Sequence, residues 1–350
     1  MDDCNELIQQ IQRRCTKRWT LMEVCGGQTH SLLRHGIDRL LNESVNLIHG
    51  PGCPVCVTGQ ERIDQALIES QNRGVILCTY GDMLRVPGTD GRTLLDARTE
   101  GADIRVVYSP LDVLDIATQA SDSKVVFLAV GFETTAPATA LLAQQTLLRR
   151  LKNLRLLVAH VRVSPVLDQL LSDPNCIVQG VLAAGHVCTV MGEAESVVLA
   201  ARHERPFVIT GFSPKELLHG IWSCIEQLET GQSHVVNTYH TAVSPSGNTA
   251  AQEVINSVFE PVDTIWRGLG LIPLGGYRLR REFSMLDLRS NELVRIHNSI
   301  AECPSGDVLK GLIRPSDCPS FGTNCTPDNP LGAPMVSNEG ACAAYYRYRI

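Results

Sequence analysis

The chain has 350 residues, of which 44% are apolar and 19% charged, and this predicts a globular protein with more than one core. A formal net charge of −6, without a basic stripe and interleaved aromatic residues, argues against nucleic-acid binding. No stretch reaches the roughly 18 consecutive apolar residues of a membrane span, and the acidic start MDDCNELIQQ is unlike a secretory signal. We therefore expect a cytoplasmic protein whose partners are neither nucleic acids nor membranes.

The head of the chain predicts two helices around a short motif. Apolar residues at helical spacing predict one helix over 5–18 and another over 32–41. Between them, EVCGGQTH places Cys25 before two glycines, which let a ligand approach the backbone closely. His30 is placed to deprotonate Cys25 or to coordinate a metal beside it. The structural alternative is a buried cysteine just before a helix N-terminus.

From residue 45 onward, short β-rich runs alternate with amphipathic segments, which is typical of βαβ units on a parallel sheet. Two series of four strands follow: VNLI, VILCTY, IRVVY and KVVFLAV, then LRLLVAH, CIVQGVLAA, PFVITG and HVVNTYH. We predict an α/β fold with one parallel-sheet domain over 45–150 and a second over 151–262. Segments 1–44 and 263–350 would form an N-terminal segment and a small, irregular C-terminal domain.

The segment HGPGCPVC, residues 49–56, follows a predicted strand and precedes the helical pattern ERIDQAL. Cys53 and Cys56 should therefore lie at the carboxyl end of a parallel strand, where α/β proteins build sites. The dipole of the following helix favours a thiolate there. A zinc half-site would need a second Cys-x₂-Cys, which the chain lacks. The pattern favours a redox dithiol, with a buried structural pair as the alternative.

Two further motifs follow buried strands. GFETTAP places Glu133 at the carboxyl edge of a sheet, either as a helix cap or as a catalytic carboxylate. GHVCTVMG places His186 at the matching edge of the second series, where it is a candidate cleft residue. Cys188 in the same motif is more typical of packing.

Thirteen cysteines is a high number for a reducing compartment, where they usually serve metal or redox chemistry. Four of them lie in an irregular, proline-rich tail, with gaps of 14, 6 and 16 residues: Cys303, Cys318, Cys325 and Cys342. Both zinc and an iron–sulfur cluster accept four thiolates. The wide gaps, without close Cys-x₂₋₄-Cys knuckles, favour the cluster; a zinc site and no metal remain as alternatives.

Taken together, several stretches resemble the HypD family of hydrogenase maturation proteins: EVCGGQTH, GPGCPVC, GFETTAP, GHVCTVMG, WRGLG and RPSDCPSFGTNCTPDNPLGAPMVSNEGACAAYY. They span residues 22–346. The resemblance implies two parallel-sheet α/β domains plus a small irregular iron–sulfur cluster domain. It also implies a role in building the iron centre of nickel–iron hydrogenases, which carries two cyanides and one carbon monoxide. The implied partners of a single copy are HypC, which shares the iron, and HypE, which supplies cyanide.

The resemblance also implies roles for particular cysteines. Cys25 matches the family's iron-site cysteine, and Cys53 and Cys56 match a redox-active pair. The tail quartet matches the four ligands of a 4Fe–4S cluster: Cys303, Cys318, Cys325 and Cys342. The chain departs from the family's CGGHTH at Gln28, which cannot take up a proton near neutral pH and is a poor iron ligand. Acid–base work in this motif would therefore fall to His30.

These roles predict an electron path. Electrons would pass from the tail cluster to the Cys53–Cys56 pair, near an iron held by Cys25 and a cysteine of HypC. The chain would then be a scaffold and redox factor rather than a conventional turnover enzyme. Two other classes stay open: a stand-alone iron–sulfur thiol/disulfide reductase, and a zinc-stapled interaction module.

Overall fold

The computed structural model describes residues 2–288 and 303–348. Two parallel sheets and one antiparallel hairpin are covered by helices, so the predicted α/β class is confirmed. The strands are β1 Trp19–Glu23, β2 Val45–His49, β3 Val75–Thr79, β4 Asp103–Val106, β5 Lys124–Gly131, β6 Leu154–His160, β7 Gly180–Ala184, β8 Phe207–Thr210, β9 Val235–Asn237, β10 Phe259–Trp266 and β11 Gly270–Leu279.

The helices connect and cover these strands. They are α1 Asp2–Arg14, α2 Gly26–Arg34, α3 Ile37–Leu40, α4 Pro54–Val57, α5 Gln60–Ser70, α6 Leu94–Thr99, α7 Asp112–Gln119, α8 Ala136–Leu148, α9 Val163–Ser172, α10 Gly185–Met191, α11 Ala194–His203, α12 Pro214–Thr230, α13 Thr249–Val258, α14 Ser305–Lys310, α15 Ala333–Val336 and α16 Ala341–Tyr348. Within the two described ranges, no helix combines the length and apolar character that crossing a bilayer requires.

One sheet has the strand order β4-β3-β5-β6, with all neighbours parallel. Strand β3 is buried along its whole length, and β5 is buried from its second residue onward. Burial on both faces explains why these strands are continuous apolar runs rather than alternating patterns.

The other sheet has the order β2-β1-β7-β8-β9 and is also parallel. Strand β1 lies between β2 and β7, so the head of the chain is built into the sheet of the later strands. The carboxyl ends of β1, β2 and β7 therefore meet at one edge, which is the edge that carries the candidate site.

Two strands lie in a different sheet from the one that the predicted boundaries imply. Strand β2, which opens the predicted domain 45–150, pairs with β1, and β6, which opens 151–262, pairs with β5. Strand β6 stays beside β5 because consecutive strands of a βαβ unit usually pair, here across α8. The sheets have four and five strands rather than four each, since β1 also joins the second one.

The described part of the tail folds back onto the head. The predicted C-terminal domain 263–350 lies partly outside the described residues, at 289–302 and 349–350. The hairpin β10–β11 is fixed by the fully buried Trp266, whose Nε1 donates to the carbonyl of Gly275 at 2.9 Å. Helix α14 packs against β2, α15 against α4, and α16 against α2. The tail thus covers the elements that follow β1 and β2.

Candidate functional site

Two of the cysteine motifs leave their sheet side by side. Strand β1 ends at Glu23 and β2 ends at His49, and these residues are register partners. Cys25 then immediately precedes α2, and Cys53 immediately precedes α4. Both loops therefore begin at the same sheet edge, as expected for a site in an α/β fold.

The two loops touch through their backbones. The N–H of Gly26 donates to the carbonyl of Gly52 at 3.2 Å, and the N–H of Gly50 donates to the carbonyl of Glu23 at 2.8 Å. A Cβ on Gly52 would lie 2.4 Å from the backbone nitrogen of Cys25, which is too close for any side chain. Glycine at this position therefore allows the dithiol loop to pack directly against Cys25.

A buried carboxylate joins the same two loops. Glu23 is fully buried, and its Oε2 accepts from the N–H of Cys25 at 2.9 Å. Its Oε1 accepts from the hydroxyl of Thr29 and from Nδ1 of His49, the latter at 2.8 Å. A buried carboxylate is costly unless it is hydrogen-bonded, and these three contacts provide that compensation. Glu23 thereby fixes the start of α2 relative to the end of β2.

Cys25, the candidate iron ligand of the head, is half-buried at this edge. Burial raises the pKa of its thiol to about 12; the N–H groups of Gly27 and Gln28 oppose this shift, whereas the charges of Glu23 and Glu339 add to it. The free thiol is therefore protonated at neutral pH. Binding of a metal ion at Cys25 would have to displace that proton.

Gln28, which stands where the family has histidine, anchors α2 to the neighbouring strands. The side chain is fully buried, and its Nε2 donates to the carbonyls of Ala183 and Thr210 at 3.1 and 3.3 Å. These carbonyls lie at the ends of β7 and β8. The amide therefore performs a positioning task, which needs a donor but no titratable proton.

His30 faces the tail. Its Nδ1 lies 3.1 Å from the hydroxyl of Tyr348, and its Nε2 contacts the carbonyl of Asn338. Its ring also meets that of Tyr348 edge-on, at a centroid distance of 5.5 Å. These contacts tie α2 to α16. The predicted acid–base role of His30 beside Cys25 stays a prediction.

Cys53 and Cys56 form a disulfide, with their Cα atoms 5.3 Å apart. Both residues are buried, at 3% and 1% exposure. Sγ of Cys53 also accepts from the N–H of Cys56 at 3.2 Å, which caps the start of α4. The two motif cysteines are therefore paired with each other; redox activity of the pair stays a prediction.

The tail reaches this disulfide through residues 332 and 333. Sγ of Cys56 lies 3.8 Å from the carbonyl oxygen of Ala333. The preceding residue, Gly332, lies against a tail thiol, since a Cβ placed there would be 2.3 Å from Sγ of Cys303. One short stretch of backbone therefore separates the disulfide from Cys303.

The four tail thiols lie within electrostatic range of one another. Burial raises the pKa of Cys342, and the charges of Cys303, Cys325 and Cys318 raise it further. The N–H of Leu331 donates to Sγ of Cys325 at 3.4 Å. In the described part of the chain, no three Cys, His, Asp or Glu side chains converge on one metal-ion position. The predicted cluster ligation by the four tail cysteines stays a prediction.

Arg267, from the WRGLG stretch, lies between the disulfide helix and the tail. Its N–H donates to the carbonyl of Val57 and its Nη1 to that of Pro87, both at 2.9 Å. Its Nη2 is buried and has no hydrogen-bonding partner within 2–288 and 303–348. Burial raises the pKa of Cys303; hydrogen bonds from Ser305 and, after them, the charge of Arg267 oppose this shift. Ser305 and Arg267 thus both favour the thiolate that a metal cluster would require.

Glu133 lies at the contact of the two sheets. Its Oε1 accepts from the N–H of Val163 at 3.0 Å, while its Oε2 is buried without a partner among the described residues. Burial raises the pKa of Glu133 to about 7; Glu195 adds to the shift and Arg162 opposes it. Burial raises the pKa of Cys188, and the charge of Glu133 adds to this shift. Glu133 is thus a buried titratable group near Cys188.

His186 approaches the Cys25 motif through an aromatic ring. It is an exposed residue of α10 that stacks on Phe212 at a centroid distance of 3.9 Å. Phe212 in turn lies 3.1 Å from the position of a Cβ on Gly27. Burial lowers the pKa of His186, so its ring favours the neutral form.

Sequence reasoning missed four residues of this site: Glu23, His49, Arg267 and Glu339. The first two had a usable signal, because each is a polar residue that ends an apolar strand and precedes a glycine-containing motif. Glu339 lies against Gly26: a Cβ placed on Gly26 would be 2.4 Å from the Cβ of Glu339. Its place, like that of Arg267, depends on the tail folding onto the head, and local pattern does not encode this.

Known proteins are similar to this chain along nearly its whole length. Residues 2–349 match the family model described as "HypD: Hydrogenase formation hypA family". The chain is 40% identical over 360 residues to hydrogenase maturation factor HypD of Cupriavidus necator, covering 98% of this chain and 94% of that protein. Identity to the protein of the same name from Escherichia coli is 42% over 355 residues, covering 98% and 95%. For that of Azotobacter vinelandii it is 42% over 342 residues, covering 95% and 90%.

Gly52→Ala should force the two head loops apart, because the added Cβ would meet the backbone of Val24 and Cys25 at 2.4 Å. We expect the free energy of unfolding to fall by about 2 kcal/mol or more, as measured by chemical denaturation. Gly81→Ala is the matched control, since its Cβ would have its nearest neighbour, Cγ1 of Val106, at 3.8 Å. Equal stability of the two variants would contradict the close packing of the loops.

Glu133→Gln should change stability in a pH-dependent way. Glutamate titrates near about 4.3 in an unfolded chain, whereas the pKa of Glu133 in the fold is about 7. The folded state therefore binds the extra proton between these values, and its stability falls as the pH rises through them. Glutamine does not titrate. The free energy of unfolding of the variant should therefore rise relative to that of the wild type between pH 5 and pH 8, by up to about 3 kcal/mol.

Thermal unfolding midpoints at the two pH values measure this gain. Glu43→Gln, at an exposed position, is the control and should show no such trend. A difference between Glu133→Gln and wild type that stays constant with pH would contradict the raised pKa.

Proposed function

Because the chain belongs to the HypD family of hydrogenase maturation factors, we propose that it is a scaffold and redox factor that assembles the iron centre of nickel–iron hydrogenase. The iron is its cargo and acquires cyanide and carbon monoxide ligands while it is held. The observation that carries this proposal is the direct contact of the Cys25 and Cys53–Cys56 loops at Gly52.

Cys25 is the residue that would hold the cargo iron, together with a cysteine supplied by HypC. It stands at a sheet edge where Glu23 fixes its backbone N–H. A thiolate suits iron that carries strong-field ligands. The thiol proton has to leave on binding, and the half-buried position keeps bulk water from competing for the iron.

The Cys53–Cys56 pair would supply reducing equivalents beside that iron. Cyanide arrives on a sulfur of HypE, and its release from sulfur consumes two electrons and a proton and leaves a thiol. Oxidation of two thiols to one disulfide delivers the two electrons and two protons; one proton goes to the sulfur of HypE and the other is released to solvent. The disulfide is the oxidised form of the pair, and it must be reduced before another cycle.

The tail would supply the electrons that reduce the disulfide back to two thiols. A 4Fe–4S cluster bound by Cys303, Cys318, Cys325 and Cys342 would supply electrons one at a time. The chain contributes the short path, because only the Gly332–Ala333 backbone separates Cys303 from Cys56. Arg267 contributes a positive charge that favours the thiolate of Cys303.

One observation weighs against a stand-alone reductase. Both cysteines of the disulfide are buried, at 3% and 1% exposure, which restricts access for a diffusible substrate.

Cys53→Ser tests the redox part of the proposal. The variant should keep its iron but lose iron-bound cyanide, because a single remaining thiol cannot form the disulfide that releases two electrons. The cyanide bands are counted by infrared spectroscopy of the anaerobically purified complex with HypC. Cys25→Ser should lose the iron itself. Cys4→Ser, a half-buried thiol on α1, is the matched control and should resemble the wild type. Full cyanide occupancy in Cys53→Ser would refute the redox role.

A further inference from the structure

A polar cavity of about 530 Å³ lies beside the edge strand β2, on the far side of His49 from Glu23. Strand residues 46–49 form one wall and the segment 311–315 of the tail forms another. A second, smaller cavity of about 210 Å³ adjoins it and shares Asn42, Arg314 and Tyr345. The proposed iron chemistry uses neither space.

Two guanidinium groups converge at this cavity. Nη2 of Arg18 donates to Oδ1 of Asn42 at 2.7 Å, and Nη2 of Arg314 donates to the same oxygen at 3.1 Å. Arg314 also donates to Oδ1 of Asn46 at 3.3 Å. Two positive charges are therefore held within about 6 Å of each other by neutral amides, where they repel by on the order of 1 kcal/mol even in water.

Asp317 also lines this cavity and Asp38 lines the adjoining one, but neither pairs directly with the two guanidinium groups. Within the part of the chain that the structure describes, neither Arg18 nor Arg314 forms an ion pair with a carboxylate. The carboxylate of Asp317 accepts from the backbone N–H of Arg314 at 2.9 Å instead. Asp38 lines the adjoining cavity beside Arg39; burial raises its pKa, and the charge of Arg39 opposes this shift.

His49 forms part of the wall. The residue is only 4% exposed, and its Nδ1 is occupied by Glu23. Its Nε2 has no hydrogen-bonding partner among residues 2–288 and 303–348, but this atom is itself shielded from solvent. A molecule in the cavity would therefore lie against the imidazole ring rather than bond to this nitrogen.

We propose that this cavity binds a small organic oxyanion, a carboxylate or a phosphate ester, between Arg18 and Arg314 and against His49. Guanidinium groups bind such oxygens through paired, charge-assisted hydrogen bonds. The volume exceeds that of a bare ion and falls within the range of about 300–1,000 Å³ that is typical of small-molecule sites. Through His49 and Glu23 the ligand would adjoin the Cys25 loop, so its binding would also stabilise that loop.

Titration calorimetry of the full chain tests this with two probes, glycerol 2-phosphate and citrate, at constant ionic strength set by sodium chloride. We expect saturable binding of at least one probe, and the preferred probe identifies the phosphate or the carboxylate class. Arg18→Gln and Arg314→Gln should each weaken that binding about tenfold or more. Arg13→Gln, an exposed arginine on α1 outside the cavity, is the matched control and should bind like the wild type.

Asn42→Asp provides an isosteric test in the opposite direction. It places a carboxylate where the two guanidinium groups meet, so the probe-free protein should melt at a higher temperature while probe binding is lost. A higher melting temperature also shows that the variant is folded. Absence of saturable binding of both probes to the wild type would overturn the proposal, and so would equal binding by wild type, Arg314→Gln and Asn42→Asp.

Discussion

The buried carboxylate of Glu23 is the interaction on which the rest of the site depends. It accepts at once from the backbone of Cys25, the hydroxyl of Thr29 and the ring of His49, so it ties the ends of two parallel strands to the start of α2. Without it, three polar groups would be left unpaired in the interior, which is costly. Gly52 completes the constraint by bringing the dithiol loop into backbone contact with Cys25.

The tail is held to the head by apolar packing of two kinds. Helix α16 packs through Ala344 and Tyr345 onto Leu33 in a small cluster, whereas Ala333 and Val336 of α15 belong to one of the large core clusters. The same fold that brings Gly332 and Ala333 between Cys303 and Cys56 brings Tyr348 to His30. A metal cluster bound by the tail thiols, as proposed, would therefore also act on the position of α2.

The sequence was informative where a local pattern decides the outcome. Cys53 follows an apolar strand and precedes a helix, so its place at a carboxyl sheet edge could be predicted from strand and turn signals. Strand β1 before Cys25 was not predicted, so the sequence placed Cys25 only before a helix. The predicted helix over 32–41 is interrupted, because Gly36 adopts a φ of +65° between α2 and α3. Glycine tolerates that conformation, but apolar periodicity does not reveal that it is used.

Pairing between distant strands could not be predicted in the same way. Apolar runs identify strands at most, whereas the choice of neighbours depends on packing; β1 pairs with β2 nearby in the chain, but also with β7 across more than a hundred residues. The partnership of Glu23 and His49 follows from that pairing. The approach of Arg267 to Cys303 likewise depends on where the hairpin β10–β11 docks.

The central claim is that the thiols of the head and the tail lie close together. It is tested most directly by a crystal structure of the anaerobically prepared, iron-loaded protein, with anomalous scattering recorded at the iron absorption edge. We expect an iron peak enclosed by the sulfurs of Cys303, Cys318, Cys325 and Cys342, with Gly332 and Ala333 between it and the Cys53–Cys56 pair. Iron bound away from these four sulfurs, or a quartet separated from Cys56 by more than that segment, would contradict the proposed electron path.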